Sequence, residues 1–429
     1  MNNRDTYCII DENHQKKLTL PQFFWYDRKP VALTFPRAWD VRICNMEGDE
    51  DPALETEQLR KKIFNPVGTV SLKELAKGKK EIAIVVDDLS RPTEAALIVP
   101  HLLEVLSESG IADESIRFLI SLGCHGAHTA ADFRKKLGPS VVERYGVYNH
   151  NCYENCIDIG TTRSGIPLRI NSELLKCDLK IGIGSILPHL YTGYSGGGKL
   201  FLPGMAHIDT VNRFHSFLSP SEKGRIDYAN PMIREIEDAV SLIGVDYKID
   251  VLVNTRGEII DLFAGDPIHV YGKGAAKAET VYQTALDEDF DVVISNAHLK
   301  VNEGDIALLM GLEALRPAGG TCVLIMNSPS GQMTHYLMRR FGKFTGGRQS
   351  MTRVNLPEEN HVIVYSQYKD TTTFDPYENK ETIDWERNWS HVIQTIHKRH
   401  RNKEVCVGVI PDGTIQYWAK GNHGAGYQE

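Results

Sequence analysis

The chain has 429 residues, of which 41% are hydrophobic and 24% charged, a balance typical of folded rather than disordered proteins. A formal net charge of -8 argues against a broad nucleic-acid surface, and the length predicts two domains rather than one core. The sequence contains no apolar run of about 18 residues, and MNNRDTYCII has neither the basic region nor the apolar core of a leader, so a cytoplasmic protein without a membrane span is expected. The 8 cysteines are too sparse for a disulfide framework, and Cys152 and Cys156 match no metal or redox spacing, so reduced thiols are expected.

In chain order, TYCII and PVALTF read as short strands. EIAIVVDD (81–88) is a stronger strand, with branched apolar residues running into carboxylates. After SRPT, the apolar periodicity of LIVPHLLEVLSESG predicts a helix stopped at Gly110. IRFLISLG is the next strand and ends at CHGAHT; a helix near 130–137 follows, then the strand LKIGIGSI (179–186). This alternation predicts an α/β fold in which 81–88, 116–122 and 179–186 are sheet neighbours. Their polar clusters follow the strands' carboxyl ends, where open parallel sheets bind ligands.

Further strands are expected at YKIDVLVN (247–254), FDVVIS (290–295), GTCVLIMN (320–327), HVIVYS (361–366) and KEVCVGVI (403–410). The glycine-rich AGDPIHVYGKG (264–274) reads as a hinge. The expected architecture is two α/β domains, each with a mainly parallel sheet flanked by helices, and an active site in the cleft between them. Residues 1–272 would form a cofactor-binding N-terminal domain, 275–400 a smaller C-terminal one, and 403–429 would return to the first.

The most informative segment is GIGSILPHLYTGYSGGGKLFLPGMAHIDTVNRFH (182–215). Gly193 through Lys199 contains G-x-x-x-x-G-K, but Leu200 stands where a P-loop needs a magnesium-binding hydroxyl, and Pro203 follows almost at once. An ATPase reading is therefore set aside. What remains is a backbone-rich loop in which Gly196, Gly197 and Gly198 allow close approach to a ligand, and Lys199 offers one amine for a phosphate or for covalent attachment. The alternative is a tight turn with a solvated lysine. His189 and His215 flank the loop and His125 ends another strand; imidazoles there suit proton transfer or a metal such as nickel or zinc. Asp88, Ser90 and Arg91 in DDLSRPT add a carboxylate, a hydroxyl and a guanidinium fork able to grip a substrate carboxylate; a cap and a surface arginine are the plainer reading.

Together DDLSRP, the histidine of GCHGAHT, the PHLYTGYSGGGKLFLPGMA block, the later His215, LFAGDP and the closing VIPDG resemble the nickel-dependent lactate racemase family. The resemblance implies a nickel-pincer nucleotide, a pyridinium-bisthiocarboxylic acid mononucleotide tethered to a lysine as a thioamide and holding nickel with help from one histidine. On this chain it implies Lys199 as the tether, with Asp88, Ser90 and Gly196–Gly198 in the cofactor's surroundings, and His215 as the nickel ligand. It further implies His125 and His189 as bases on opposite faces of the substrate carbon, and Arg91 on the carboxylate. The implied activity is inversion of a 2-hydroxy acid at C2 through a 2-keto acid, by reversible hydride transfer to the cofactor. Partners would be the small-molecule substrate and the cofactor's maturation enzymes. A dehydrogenase-like use of the same cofactor, or a non-catalytic cofactor or small-ligand binding protein, are the alternatives.

Two positions depart from the family. A glutamine and a lysine that contact lactate correspond here to Ala307 and Met310 in NEGDIALLMG, and HGAHT introduces His128. A 2-hydroxy acid larger than lactate is expected, with Lys300, His298, Asn302 or His128 as candidates for the lost contacts.

Overall fold

The computed structural model describes residues 7, 9–12, 15–216, 223–286, 288–338, 354–401 and 404–419. Thr6 and Cys8 of TYCII, Lys403 and residues 420–429 lie outside that set. The described residues of 51–279 and 333–351 form one compact unit, and those of 1–50, 280–332 and 352–429 form a second.

The first unit is built on a six-stranded sheet in the order Ile259–Gly265, Tyr247–Val253, Leu179–Ser185, Ile82–Asp87, Ile116–Ser121, Gly146–Asn149. Only the first pair is antiparallel. The expected neighbours 81–88, 116–122 and 179–186 are indeed adjacent in it. Ile82–Asp87 is buried at every position, as a central parallel strand covered on both faces should be. The helix Val99–Glu108 turns Val99, Leu102, Val105 and Leu106 inward at helical spacing, and Gly110 ends it at φ +80°.

Two glycines of LKIGIGS make a trough on one face of the sheet. A Cβ at Gly182 would lie 2.8 Å from the Lys248 stem and from Leu200, and one at Gly184 would lie 3.2 Å from Lys248 Nζ. The trough is filled by Lys248, which is fully buried and paired at 2.5 Å with Asp250, two residues on and on the same face of its strand. Asp250 also accepts the backbone N–H of Gly197 at 2.8 Å, so a buried ion pair fastens the glycine loop to the sheet. A second buried cation lies under the other loop. Lys136, from the helix Ala130–Leu137, sits 2.6 Å from Asp87 and donates to the carbonyls of Asp88 and Arg91 at 2.9 and 3.0 Å.

The second unit carries a six-stranded, all-parallel sheet in the order Asp384–Glu386, His361–Tyr365, Thr321–Met326, Val292–Ala297, Cys406–Ile410, Asp40–Ile43. Each sheet is mainly parallel and each unit carries helices, as the alternation of elements predicts. The domain boundaries differ from the expected ones. The Cys406–Ile410 strand does return to an N-terminal strand, Asp40–Ile43, but both belong to the second unit, so neither 1–50 nor the C-terminal strand joins the first. The cause is pairing: Cys406–Ile410 lies between Val292–Ala297 and Asp40–Ile43, where its buried apolar run completes a parallel core. The expected hinge at 264–274 is instead largely helix, Pro267–Val281, entered through Pro267, and the change of unit comes at 279–280.

Within the second unit Ala307 and Met310 are buried on the helix Asp305–Leu312, in an apolar cluster with Leu324 and Phe374. Lys300 is buried and paired with Glu303 at 2.9 Å. His298 is buried edge-on to Phe24, and its Nδ1 finds no hydrogen-bond partner among the described residues. Burial pushes its imidazole down to about 3.

Replacing Lys248 by Met should leave Asp250 as a buried, unpaired carboxyl and cost about 3–5 kcal/mol in urea unfolding. A change below about 1 kcal/mol would show that the pair does not bear on stability. His298 supplies a pH test. Its folded value lies below the ordinary 6.5, so only the unfolded chain takes up the proton between those values, and stability is lost as pH falls through that window. His298→Phe lacks this loss, and between pH 7 and pH 5 it should gain about 2 kcal/mol on the wild type. An unchanged difference would mean that His298 is protonated in the folded protein.

Candidate active site

The strand order of the first unit reverses between Ile82–Asp87 and Leu179–Ser185. The chain runs outward from one through Ile116–Ser121 and from the other through Tyr247–Val253. At such a switch point the loops leaving adjacent carboxyl ends diverge and leave a crevice. DDLSRP leaves one strand and the glycine segment leaves the other, while His125 follows the neighbouring strand.

Asp88 is 3% exposed. One carboxylate oxygen accepts from the backbone N–H and hydroxyl of Ser90, and the other meets His125 Nδ1 at 2.5 Å. Burial alone would raise this carboxyl, but His125 foremost, with His128 and Arg91, holds it well below the usual carboxylate range. An ionised Asp88 fixes the His125 proton on Nδ1 and leaves Nε2 as the acceptor. Arg91 Nη1 donates to the carbonyl and hydroxyl of Ser90 at 2.9 and 3.0 Å, which orients the guanidinium from its rear. His128 is committed to structure: its Nε2 accepts the backbone N–H of Leu89 at 3.0 Å, and burial lowers its imidazole.

The glycine segment opens with a short hairpin, Pro188–His189 against Gly193–Tyr194. His189 Nδ1 accepts the backbone N–H of Tyr191 at 3.1 Å, and its Nε2 lies 3.0 Å from Lys199 Nζ. Lys199 Nζ also reaches the Thr192 hydroxyl at 3.3 Å, which donates to the Tyr194 carbonyl at 2.7 Å. Lys199 sits on a single helical turn, Gly197–Leu200. The glycines before it answer to packing. Gly196 and Gly197 have φ of +87° and +54°, and a Cβ on Gly197 or Gly198 would strike Tyr271 or Ile236 at 2.7 and 2.5 Å. The Gly197 N–H is taken by Asp250, so this amide is a fastening to the sheet.

His215 ends the helix Ile208–His215, whose Ile208, Val211 and Phe214 face inward. Its Nδ1 donates to the Val211 carbonyl at 2.7 Å, leaving Nε2 with a lone pair. Burial, against that hydrogen bond, pushes its imidazole down to about 4. It is therefore neutral at physiological pH, the form that binds metals.

One residue near this site carries no signal in the sequence reading. Thr334 and Tyr336 bridge the Cys124–Gly126 backbone at 3.0 and 2.7 Å, bringing the His335 ring to 5.3 Å from that of His125. Its Nδ1 accepts the N–H groups of Leu337 and Met338, which puts its proton on Nε2. Lys248 and Asp250 did leave a trace, as charges inside the apolar strand YKIDVLV.

Residues 26–226 match the lactate racemase N-terminal domain family. The lactate racemase of Lactiplantibacillus plantarum is 30% identical over 287 residues, 65% of this chain and 67% of that one. The lactate racemase of Thermoanaerobacterium thermosaccharolyticum is 27% identical over 309 residues, 70% and 72% respectively. In three dimensions the apoprotein of the Thermoanaerobacterium lactate racemase superposes with a TM-score of 0.71 at 21% identity, covering 94% of this chain and 100% of that one. A Thermotoga maritima protein superposes at 0.64 with 19% identity, covering 86% and 100%. With matching sequence over about two thirds of an established relative and a shared fold over nearly the whole chain, this protein belongs to the lactate racemase family.

Proposed function

We propose that the chain is a racemase or epimerase that inverts C2 of a 2-hydroxy acid. The observation that carries this reading is the pairing of Asp88 with His125 and of His189 with Lys199 on loops that follow neighbouring strands at the switch point. Family membership supplies the chemistry to which such an arrangement belongs.

The residues fit a nickel-pincer nucleotide. Among the described residues no three His, Cys, Asp or Glu side chains converge as a metal cluster, so a metal here would draw its other ligands from a non-protein group. His215 offers a neutral imidazole with Nε2 available, and Lys199 offers an amine for the tether. When bound, such a group supplies the hydride acceptor and donor that no side chain here provides. The remaining work belongs to the chain. His125, held by Asp88, takes or returns the hydroxyl proton on one face of the substrate, and His189 is assigned the same work on the other, which requires its Nδ1 to release the Tyr191 N–H and take the ring proton. Arg91, braced on Ser90, is assigned to the carboxylate. The substrate is expected to be larger than lactate: the resemblance aligns the apolar Ala307 and Met310 with a glutamine and a lysine of lactate racemases.

The test is to make the protein together with the cofactor's maturation enzymes, then measure intact mass, peptide adducts and nickel. An adduct on Lys199 with about one nickel per chain is expected. No adduct, beside a lactate racemase control loaded in parallel, overturns the reading. Lys199→Ala should lose the adduct, and His215→Ala should keep it while losing nickel. With rates normalised to the adduct present, His125→Ala, His189→Ala and Asp88→Asn should each lower inversion by about 10²–10⁴-fold. Near-normal turnover in both histidine variants would remove the two-base assignment. Faster turnover of lactate than of malate or an aldonate would remove the assignment to a larger acid.

A further inference from the structure

The proposed function leaves His335 without work, although the structure fixes it beside His125 within the first unit. The two histidines are opposite residues of an isolated antiparallel bridge. It is closed by the Gly126 N–H on the Thr334 carbonyl at 3.0 Å and the Tyr336 N–H on the Cys124 carbonyl at 2.7 Å. Opposite residues of such a pair project from the same face, so the rings lie together, their centroids 5.3 Å apart. The segment is held on both flanks. Leu337 is buried in the same apolar cluster as Cys124, the Tyr336 ring packs on Tyr153 at 5.7 Å, and a Cβ at Gly126 would stand only 3.3 Å from Thr334. The two rings have opposite hydrogen-bonding character. Asp88 holds the His125 proton on Nδ1, so the His125 Nε2 accepts. His335 Nδ1 accepts the N–H groups of Leu337 and Met338 at 3.2 and 3.0 Å, so its distal Nε2 donates.

We infer that His335 is a specificity-determining residue whose Nε2–H donates to an oxygen on C3 of the substrate, which makes the substrate a 2,3-dihydroxy acid. An acceptor and a donor side by side suit two hydroxyls on adjacent carbons. The C2 hydroxyl donates to His125, and the C3 oxygen accepts from His335. Gauche oxygens on neighbouring carbons lie within a hydrogen bond's length of each other, a spacing that two adjoining rings serve at once. Lactate offers a methyl group at the same place, and a site that hydrogen-bonds a substrate hydroxyl rejects the analogue lacking it. A second carboxylate on the tail fits less well. Asp88 stays ionised beside His125 despite its burial and would repel it, and Arg91 is already assigned to the carboxylate at C1. A neutral hydroxyl meets no such penalty. The bridge gives this pair its precision, because the same two backbone hydrogen bonds place both rings and neither can shift along the ribbon alone. The inference rests on the proposed function for the placement of the C2 hydroxyl at His125.

The experiment compares glycerate with lactate, which differ only by the C3 hydroxyl, using protein that carries the Lys199 adduct and nickel. The wild type should invert glycerate with a kcat/KM at least about 10-fold above that for lactate. His335→Leu should bring the two acids within about 2-fold of each other by loss on glycerate, with lactate changed by less than about 3-fold. His335→Gln, which keeps an N–H at the reach of Nε2, should retain part of the preference. Because enantiomers have equal free energy, kcat/KM for D- and L-glycerate must fall together, whereas KM should rise for the one that sets its hydroxyl at His125. A second readout needs no turnover. In ring-nitrogen NMR spectra of the cofactor-free full chain, glycerate should shift the His335 Nε2 signal, identified by its loss in His335→Gln, and lactate should not. Inversion of neither acid by the loaded protein overturns the proposed function, and the spectra then decide the inference. Equal kcat/KM for the two acids in the wild type overturns the inference alone. So does an equal loss on both in His335→Leu, which would put the donor on the C2 oxygen, or a His335 signal that glycerate does not move.

Discussion

Lys136 and Lys248 never reach water, and the path of both site loops depends on them. Burying an ammonium costs several kcal/mol unless its partners are well placed, and pairing seldom yields a large net gain. Here the partners are what matter. Lys136 spends its hydrogen bonds on the carbonyls of Asp88 and Arg91, so the DDLSR turn is shaped from beneath. Lys248 holds Asp250, which holds the Gly197 amide. In both cases a charge beneath the sheet's end restrains backbone, and the backbone in turn directs functional side chains. A loop held only by apolar contacts could slide by a fraction of an ångström at little cost; one fastened to a buried charge cannot without leaving that charge unpaired.

The same economy governs the histidines. Each has one ring nitrogen engaged by a different kind of partner: a carboxylate for His125, a backbone N–H for His189 and a backbone carbonyl for His215. A carboxylate and a carbonyl both require a proton on Nδ1, leaving Nε2 as an acceptor or metal ligand. A backbone N–H requires the reverse, placing the proton on Nε2. Three imidazoles of identical intrinsic chemistry are thereby sorted into different tautomers by their nearest neighbour, a distinction that sequence cannot express.

Much of the first unit was legible because its signals are local. The buried runs 82–87, 116–121 and 179–185 are strands since continuous branched apolar residues suit a covered parallel sheet, and the polar clusters after them mark the crevice. What was illegible is long-range. That Asp40–Ile43 pairs with Cys406–Ile410 depends on contacts between the two ends of the chain. His335 reaches His125 across about two hundred residues of sequence, through three backbone positions without any distinctive pattern. The segment 264–274 read as a hinge because glycine count was weighed above the Asp266-Pro267 start of a helix, where Asp266 accepts the N–H groups of Ile268 and His269.

The glycine loop shows how a near match to a phosphate loop can serve a different physical end. In a phosphate loop successive amides converge on an anion supplied by the ligand. Here the Gly197 amide meets an anion supplied by the protein, Asp250, and the neighbouring glycines are small because Tyr271, Ile236 and Val240 occupy the space a side chain would need. The loop's internal hydrogen bonds and packing restrain it, as the anchoring role proposed for Lys199 would require. A side chain with four rotatable bonds gives up substantial entropy when confined. The turn and the His189–Thr192 contacts confine it before any ligand arrives, so that cost is already met in folding. The absence of a hydroxyl at Leu200 then becomes intelligible. The position after the lysine enters the core, where Leu200 packs into the trough opened by Gly182.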